Sequence, residues 1–173
     1  MTDHEATLLA LVVRGESLTA YQISKIYADS PVSNFNTSAG KIYPIIRRLT
    51  EAGYLKARRV PGDGRRTEQI STTKLGKAAV REWVKATPPH HLLLEDPFRT
   101  KVQSFDLLTR EERIAWISEL KVQLLAKLES VEQYAEEFWV PFQELAHDNA
   151  VRSIRSRMDW LDLVLRQIVR ETE

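Results

Sequence analysis

Residues 37–53 read Thr-Ser-Ala-Gly-Lys-Ile-Tyr-Pro-Ile-Ile-Arg-Arg-Leu-Thr-Glu-Ala-Gly. The spacing predicts one helix over Thr37–Gly53. Thr37 or Ser38 caps its start, and Gly53 stands where a left-handed C-terminal residue is needed. Ile42, Ile45, Ile46 and Leu49 step i, i+3, i+4, i+7 and form a single apolar stripe. Lys41, Arg47 and Arg48 lie off that stripe, with Tyr43 beside them. Small residues at the start let the backbone approach a large flat partner, and the basic ones favour a phosphate-bearing partner. An amphipathic helix with a merely solvated basic face fits the same pattern, so the neighbouring segments decide.

Upstream, residues 3–14 read as a first helix. Asp3 is positioned to cap it, Leu8, Leu9, Leu11, Val12 and Val13 make it apolar, and Gly15 stops it. Residues 16–18 are a short link. Thr19 caps a second helix over 20–28, whose expected buried face is Tyr21, Ile23, Ile26 and Tyr27. A polar loop over 30–36 joins it to the organising helix, as in a helix-turn-helix variant.

Downstream the period changes. Residues 54–60 and 67–71 read as strands around the turn Pro61-Gly62-Asp63-Gly64, with Arg65 and Arg66 near the hairpin tip. Thr72 or Thr73 caps a fourth helix over 74–86, with Leu75, Ala78, Ala79 and Trp83 along one face. Pro88 and Pro89 end it. Three helices, a hairpin and a fourth helix make a winged helix-turn-helix. Its third helix suits the major groove of B-DNA, and an arginine-bearing wing suits the adjacent backbone or minor groove.

Charge is divided in the same sense. Residues 1–87 carry 14 Lys and Arg against 8 Asp and Glu, while residues 88–173 carry 11 against 16. A basic half joined to an acidic half points to nucleic acid as the partner of the first. The chain has no Cys, which excludes disulfides and thiolate metal sites. No export signal or stretch of about 18 apolar residues is visible, so a cytoplasmic protein with no membrane span is expected. His90 and His91 are adjacent and do not share a face, and Glu111-Glu112 and Glu136-Glu137 diverge on helices. No metal, no cofactor and no enzymatic activity are expected.

Several of these segments together resemble the PadR family of transcriptional regulators. They are Leu8–Gly15, Ala20-Tyr21-Gln22-Ile23, the run Gly40-Lys41-Ile42-Tyr43-Pro44-Ile45-Ile46-Arg47-Arg48-Leu49, and Glu51-Ala52-Gly53-Tyr54-Leu55. The family has a Gly-x-Val/Ile-Tyr-Pro run in its third helix, and a proline inside a helix is otherwise avoided. Gly64-Arg65-Arg66 and Leu75-Gly76 also match. Ala20 stands where the family usually has Gly, Thr72 where an apolar residue is common, and Ile70 nearest to a usual aromatic. The resemblance covers about the first 86 residues. It implies a transcriptional regulator that binds double-stranded DNA through Ser38, Lys41, Tyr43 and the wing residues Arg65 and Arg66. Arg47 and Arg48 are expected on phosphates or in internal pairs with Glu51, and Tyr21 either supports the third helix or touches the DNA backbone.

The second half reads as a linker over 88–97 and a helical domain over 98–173, against a DNA-binding domain over 1–87. A short helix runs to Leu108. Thr109 with Glu112 is a capping box that opens a long helix, whose seam includes Ile114, Ile117, Leu124, Leu128, Val131, Ala135 and Phe138. Pro141 kinks or ends it. Asp148 is placed to cap a last helix with the seam Val151, Ile154, Met158, Leu161, Leu165 and Ile168. Two such seams need each other and, on this reading, a second copy of the chain. Ile117, Leu124, Leu128, Val131, Ile154, Met158, Leu161, Leu165 and Ile168 are therefore the expected dimerisation residues, with a closed intrachain pair as the alternative. The region resembles the C-terminal dimerisation domain of larger PadR-type regulators, including the virulence-activator type. Tryptophans on helices are mostly core or interface residues, but PadR-type regulators often bind an aromatic effector near the dimer interface, so the resemblance implies a pocket lined by Trp116, Trp139 and Trp160 for a small aromatic effector.

The fold class expected is thus mainly α with a small β-hairpin, and the function that of a homodimeric repressor on a pseudo-palindromic operator. The alternatives are a winged helix that binds an acidic protein, or one that binds RNA.

Overall fold

A computed structural model describes residues 1–32, 39–59, 67–92, 96–134 and 141–170. The chain divides into two compact units, Met1–Pro88 and Pro89–Glu173.

In the first unit the order is α1 (Asp3–Arg14), β1 (Leu18–Thr19), α2 (Ala20–Asp29), α3 (Ala39–Glu51), β2 (Leu55–Arg59), β3 (Glu68–Thr72) and α4 (Lys74–Lys85). The cap of α1 is Thr2 rather than Asp3. Its hydroxyl accepts from the Glu5 backbone N–H at 3.2 Å while Glu5 Oε2 accepts from the Thr2 N–H at 3.0 Å. The reciprocal box satisfies two orphan donors, which a lone Asp3 cannot do. Asp3 instead accepts from Trp83 Nε1 at 2.9 Å, tying α4 to α1.

The segment read as a link at 16–18 ends in a strand. Leu18 faces Ile70 and Thr19 faces Gln69, so the sheet is three-stranded and antiparallel in the order β1-β3-β2. Two residues are too few for a period to show, and only the approach of β3 makes them a strand. Leu55 faces Thr72, and Ala57 faces Ile70. Thr19 then caps α2 with Gln22. Ile23 and Tyr27 are buried and Ile26 half-buried, but Tyr21 is 74% exposed and is no part of the buried face. It is the second residue of α2, ahead of the residues that reach the core.

The stripe Ile42, Ile45, Ile46 and Leu49 of α3 is buried as its spacing requires, and Pro44 sits inside the helix on the exposed side. Gly53 takes φ +75°, and its N–H donates to Thr50 O at 3.0 Å while Tyr54 N–H donates to Leu49 O at 2.9 Å. That is the left-handed stop expected of it. On α4 the buried face is rotated from the expected one. Leu75 is 57% exposed and Ala78 is exposed, whereas Gly76 is buried and Ala79, Val80 and Trp83 are half-buried. Gly76 sets this phase: a Cβ there would lie 2.3 Å from the carbonyl oxygen of Tyr54. Only a bare Cα lets the helix come that close.

The second unit has a 3₁₀ turn at Pro89–Leu92, α5 (Pro97–Val102), a 3₁₀ turn at Phe105–Leu107, α6 (Arg110–Glu132) and α7 (Gln143–Arg170). The short helix expected after Lys101 and through Leu108 instead begins at Pro97 and ends at Val102, with a 3₁₀ turn beyond it. Thr109 and Glu112 form the predicted capping box. However, α6 ends at Glu132, before Pro141 is reached, and α7 starts at Gln143. Asp148 lies inside α7 and pairs with Arg152 at 2.6 Å instead of capping. Ala135 and Phe138 fall outside the described residues.

The two long helices run antiparallel, with Lys121 paired to Asp162 and Glu132 to Arg155, the latter at 2.9 Å. Their seams bury against each other inside one chain. Ile117 and Leu161 are fully buried, and Leu124, Val131, Ile154 and Ile168 nearly so, with Leu128, Met158 and Leu165 packed around them. Leu120 and Val164, outside the predicted seams, complete this core. The closed intrachain pair is the arrangement observed, because two apolar stripes joined by a short connection meet each other first. No helix among the described residues is long and apolar enough to cross a membrane.

Candidate nucleic-acid interface

With one stripe of α3 committed to the core, its opposite face is presented outward. Lys41, Tyr43, Pro44, Arg47 and Arg48 are all exposed. Tyr43 is 54% exposed on α3 and Tyr21 on α2 still more so. Large aromatic rings held in water on packed helices offer apolar area and a hydroxyl together, which suits a partner with both sugar and phosphate on its surface.

The two arginines on this face are not equivalent to Lys41. Arg47 Nε lies 3.6 Å from Glu51 Oε1 within α3. Arg48 Nε donates to Glu5 Oε1 of α1 at 2.8 Å. The Glu5 carboxyl is held below its ordinary range, chiefly by the Thr2 backbone N–H and then by Arg48. Arg48 thus ties α3 to α1, an internal pairing whose partner is Glu5 and not the expected Glu51. Among the described residues, Lys41 is the cation of this face for which no such pairing is seen. Ser38, Arg65 and Arg66 lie outside the described residues.

The strand β2 adds basic groups that were not among the expected contacts. Lys56 and Arg58 alternate on one face, opposite Ser71 and Gln69, while Leu55 on the other face enters the core. The alternation Leu-Lys-Ala-Arg at 55–58 was the available signal for them.

Of the three tryptophans expected at one pocket, Trp116 and Trp160 border different hollows. Trp116 is half-buried, edge-on to Phe105 at 5.4 Å and to Phe98 at 6.2 Å, with Lys101 Nζ 5.9 Å from its ring. It borders a hollow of about 670 Å³ with Leu107 and Leu108. Trp160 borders a separate groove of about 610 Å³ between α5 and α7. Trp139 lies outside the described residues.

Residues 8–82, which contain this whole surface, match the transcriptional regulator PadR-like family. This match spans most of the N-terminal unit. No curated protein matches the sequence. Among solved structures, Bacillus subtilis PadR in complex with operator DNA superposes with a TM-score of 0.79 at 21% identity, over 96% of this chain and 99% of that one. The same B. subtilis protein in complex with p-coumaric acid gives 0.71 at 21% identity, over 95% and 94%. The Vibrio cholerae virulence activator AphA gives 0.68 at 18% identity, over 96% and 98%. The PadR-like fold therefore extends through the long helices of the second unit as well as the winged helix.

Proposed function

We propose that the protein is a DNA-binding transcriptional regulator that acts as a homodimer, as a repressor, on a pseudo-palindromic operator. The observation that carries this reading is the outward face of α3, where Lys41 and Tyr43 stand exposed on a helix whose other stripe is locked in the core of a PadR-like unit. Lys41 contacts phosphate or base edges, Tyr43 and Tyr21 bring their rings against the DNA backbone, and Ser38, Arg65 and Arg66 are the further contacts expected from the sequence. Arg47 reaches phosphate at the edge of the face. Arg48 acts mainly through α1. Two half-sites about 34 Å apart, or a multiple of that, match two copies on one face of the duplex.

A second copy joins through the outer side of the long helices, since the inner seams are filled. Val122 and Leu125, three residues apart on α6, are 65% and 51% exposed and supply the apolar area. The complex of B. subtilis PadR with p-coumaric acid supports an aromatic effector for this chain too, acting by binding one separation of the reading heads better than another. The protein carries out no catalysis in this role, and acts in the cytoplasm where its operator lies.

Selection of bound fragments from random duplex DNA tests the reading. Enrichment of an inverted repeat, with affinity that falls steeply with salt and a slope reduced by about one in Lys41→Ala, is the expected result. No enrichment over bulk DNA would leave an acidic protein as the partner of the basic face.

A further inference from the structure

The groove between α5 and α7 has a chemistry of its own. Its floor is a mostly polar stripe of α7 beside the buried one: Asn149, Arg152, Ser153, Ser156 and Arg157, with Trp160 packed against the core at its end, recur at steps of 3, 4, 7, 8 and 11. Its wall is the first turn of α5, with Asp96 and Arg99. Three arginines, two hydroxyls and one amide thus converge on about 610 Å³, with an indole at one end.

The cations are held in place before any ligand arrives. Asp96 caps α5 by accepting from the Phe98 N–H at 2.9 Å, and its other oxygen lies 3.3 Å from Arg157 Nε. The Arg157 guanidinium sits 5.4 Å from the Phe98 ring centre. Arg152 is steadied through its Nε by Asp148 at 2.6 Å. A guanidinium carries five N–H donors, so a carboxylate on the Nε edge orients it and leaves other donors for a second acceptor. Asp96, the one carboxylate lining the groove among the described residues, is already occupied by Arg157 and a backbone N–H, and the Ser153 hydroxyl donates to Asn149 O at 2.8 Å, so the donors of the lining are chiefly those of its arginines.

The geometry points to a binding site for a phosphate ester that bears a planar ring, the chemistry of a nucleotide. A phosphate offers three strong acceptor oxygens to a donor-rich wall, where a monocarboxylate offers two. The ring stacks on Trp160, and the phosphate lies toward Arg152. Those two residues are eight apart, about 12 Å along the helix, so the ligand needs a spacer between ring and anion, and Ser153 and Ser156 line that span. The site deepens the effector part of the function proposed above and rests on it only for its consequence for transcription.

Calorimetric titration of the full-length protein with AMP and GMP, without DNA, tests the site. At least one nucleotide should bind, its nucleoside at least tenfold more weakly, and inorganic phosphate should compete. Arg152→Gln should weaken the nucleotide tenfold or more, and Ser156→Phe, which fills the floor without changing charge, should do the same. Both positions are exposed, and unchanged thermal melting confirms that the variants fold. Binding of adenosine as tight as AMP, 2-naphthoate tighter than either nucleotide, no binding of either nucleotide, or no effect of Arg152→Gln would each overturn the assignment. Operator affinity is measured separately with wild-type protein, so the groove and the DNA reading can fail independently.

Discussion

Arg48 of α3 donates through Nε to Glu5 Oε1 of α1 at 2.8 Å, and Glu5 is also half of the capping box that starts α1. One carboxylate thereby fixes the start of one helix and the azimuth of another, the helix that carries Lys41 and Tyr43. The Glu5 side chain is 14% exposed but that of Arg48 is 54% exposed, so water screens the pair from the Arg48 side.

A dependence on pH follows. Because the folded Glu5 carboxyl lies below its ordinary value of 4.5, the pairing stabilises the protein above that value and is lost as pH falls through it and below. Glu5→Gln should cost about 0.5–1 kcal/mol at neutral pH and progressively less toward pH 3. Urea unfolding across that range checks it. A cost that grew on acidification would contradict the pairing.

Arg48→Ala and Lys41→Ala should separate in the DNA assay. The first should lower the melting temperature by a few degrees and leave the salt slope of operator binding nearly unchanged. The second should lower the slope with no change in melting.

Tyr21→Ala and Tyr43→Ala remove rings that are mostly in water. Each should alter stability by no more than about 0.5 kcal/mol. Each should weaken operator binding by about tenfold or more, since interface tyrosines carry a large share of binding energy. Chemical denaturation and fluorescence anisotropy on the same preparations decide this. Equal losses in stability and affinity would return the rings to the core.

Gly76→Ala drives a Cβ into the Tyr54 carbonyl, and the backbone rather than a flexible side chain must give way. A loss of about 2–4 kcal/mol is expected, larger than that of Gly53→Ala, where the left-handed φ costs about 1–2 kcal/mol and the added Cβ meets only the Leu75 side chain at 4.0 Å. Thermal melting of both variants ranks them.

Assembly separates the inner seam from the outer face. Leu161→Asp buries a charge in a fully closed α6–α7 core, and should unfold the second unit rather than give a folded monomer. Leu125→Asp should leave helicity intact and shift sedimentation from dimer to monomer. It should also weaken operator binding, because the two reading heads are no longer linked. A dimer unaffected by Leu125→Asp would move the interface off this side of α6.

Much of the first unit was legible because its signals are local. The stripe 42–49, the left-handed Gly53 and the cap at Thr19 depend on residues a few positions apart, as does the box at Thr109 in the second unit. The failures were places where a distant element decides. Leu18 and Thr19 become a strand only beside Ile70 and Gln69, and the phase of α4 follows from Gly76 against Tyr54. Asp3 lost the cap to Thr2 because Trp83, eighty residues on, takes its carboxylate while Glu5 completes the box.

The sequence by itself determined the winged-helix order, the basic face of α3 and the two apolar seams of the long helices. Periodicity and capping are properties of a helix before it meets anything. Only the tertiary structure decided that the seams close on each other, that Arg48 serves α1, and that Trp116 and Trp160 face different hollows. A stripe records that a face must be buried but not against what, and charges off the stripe find their partners only when two helices are brought to a fixed distance.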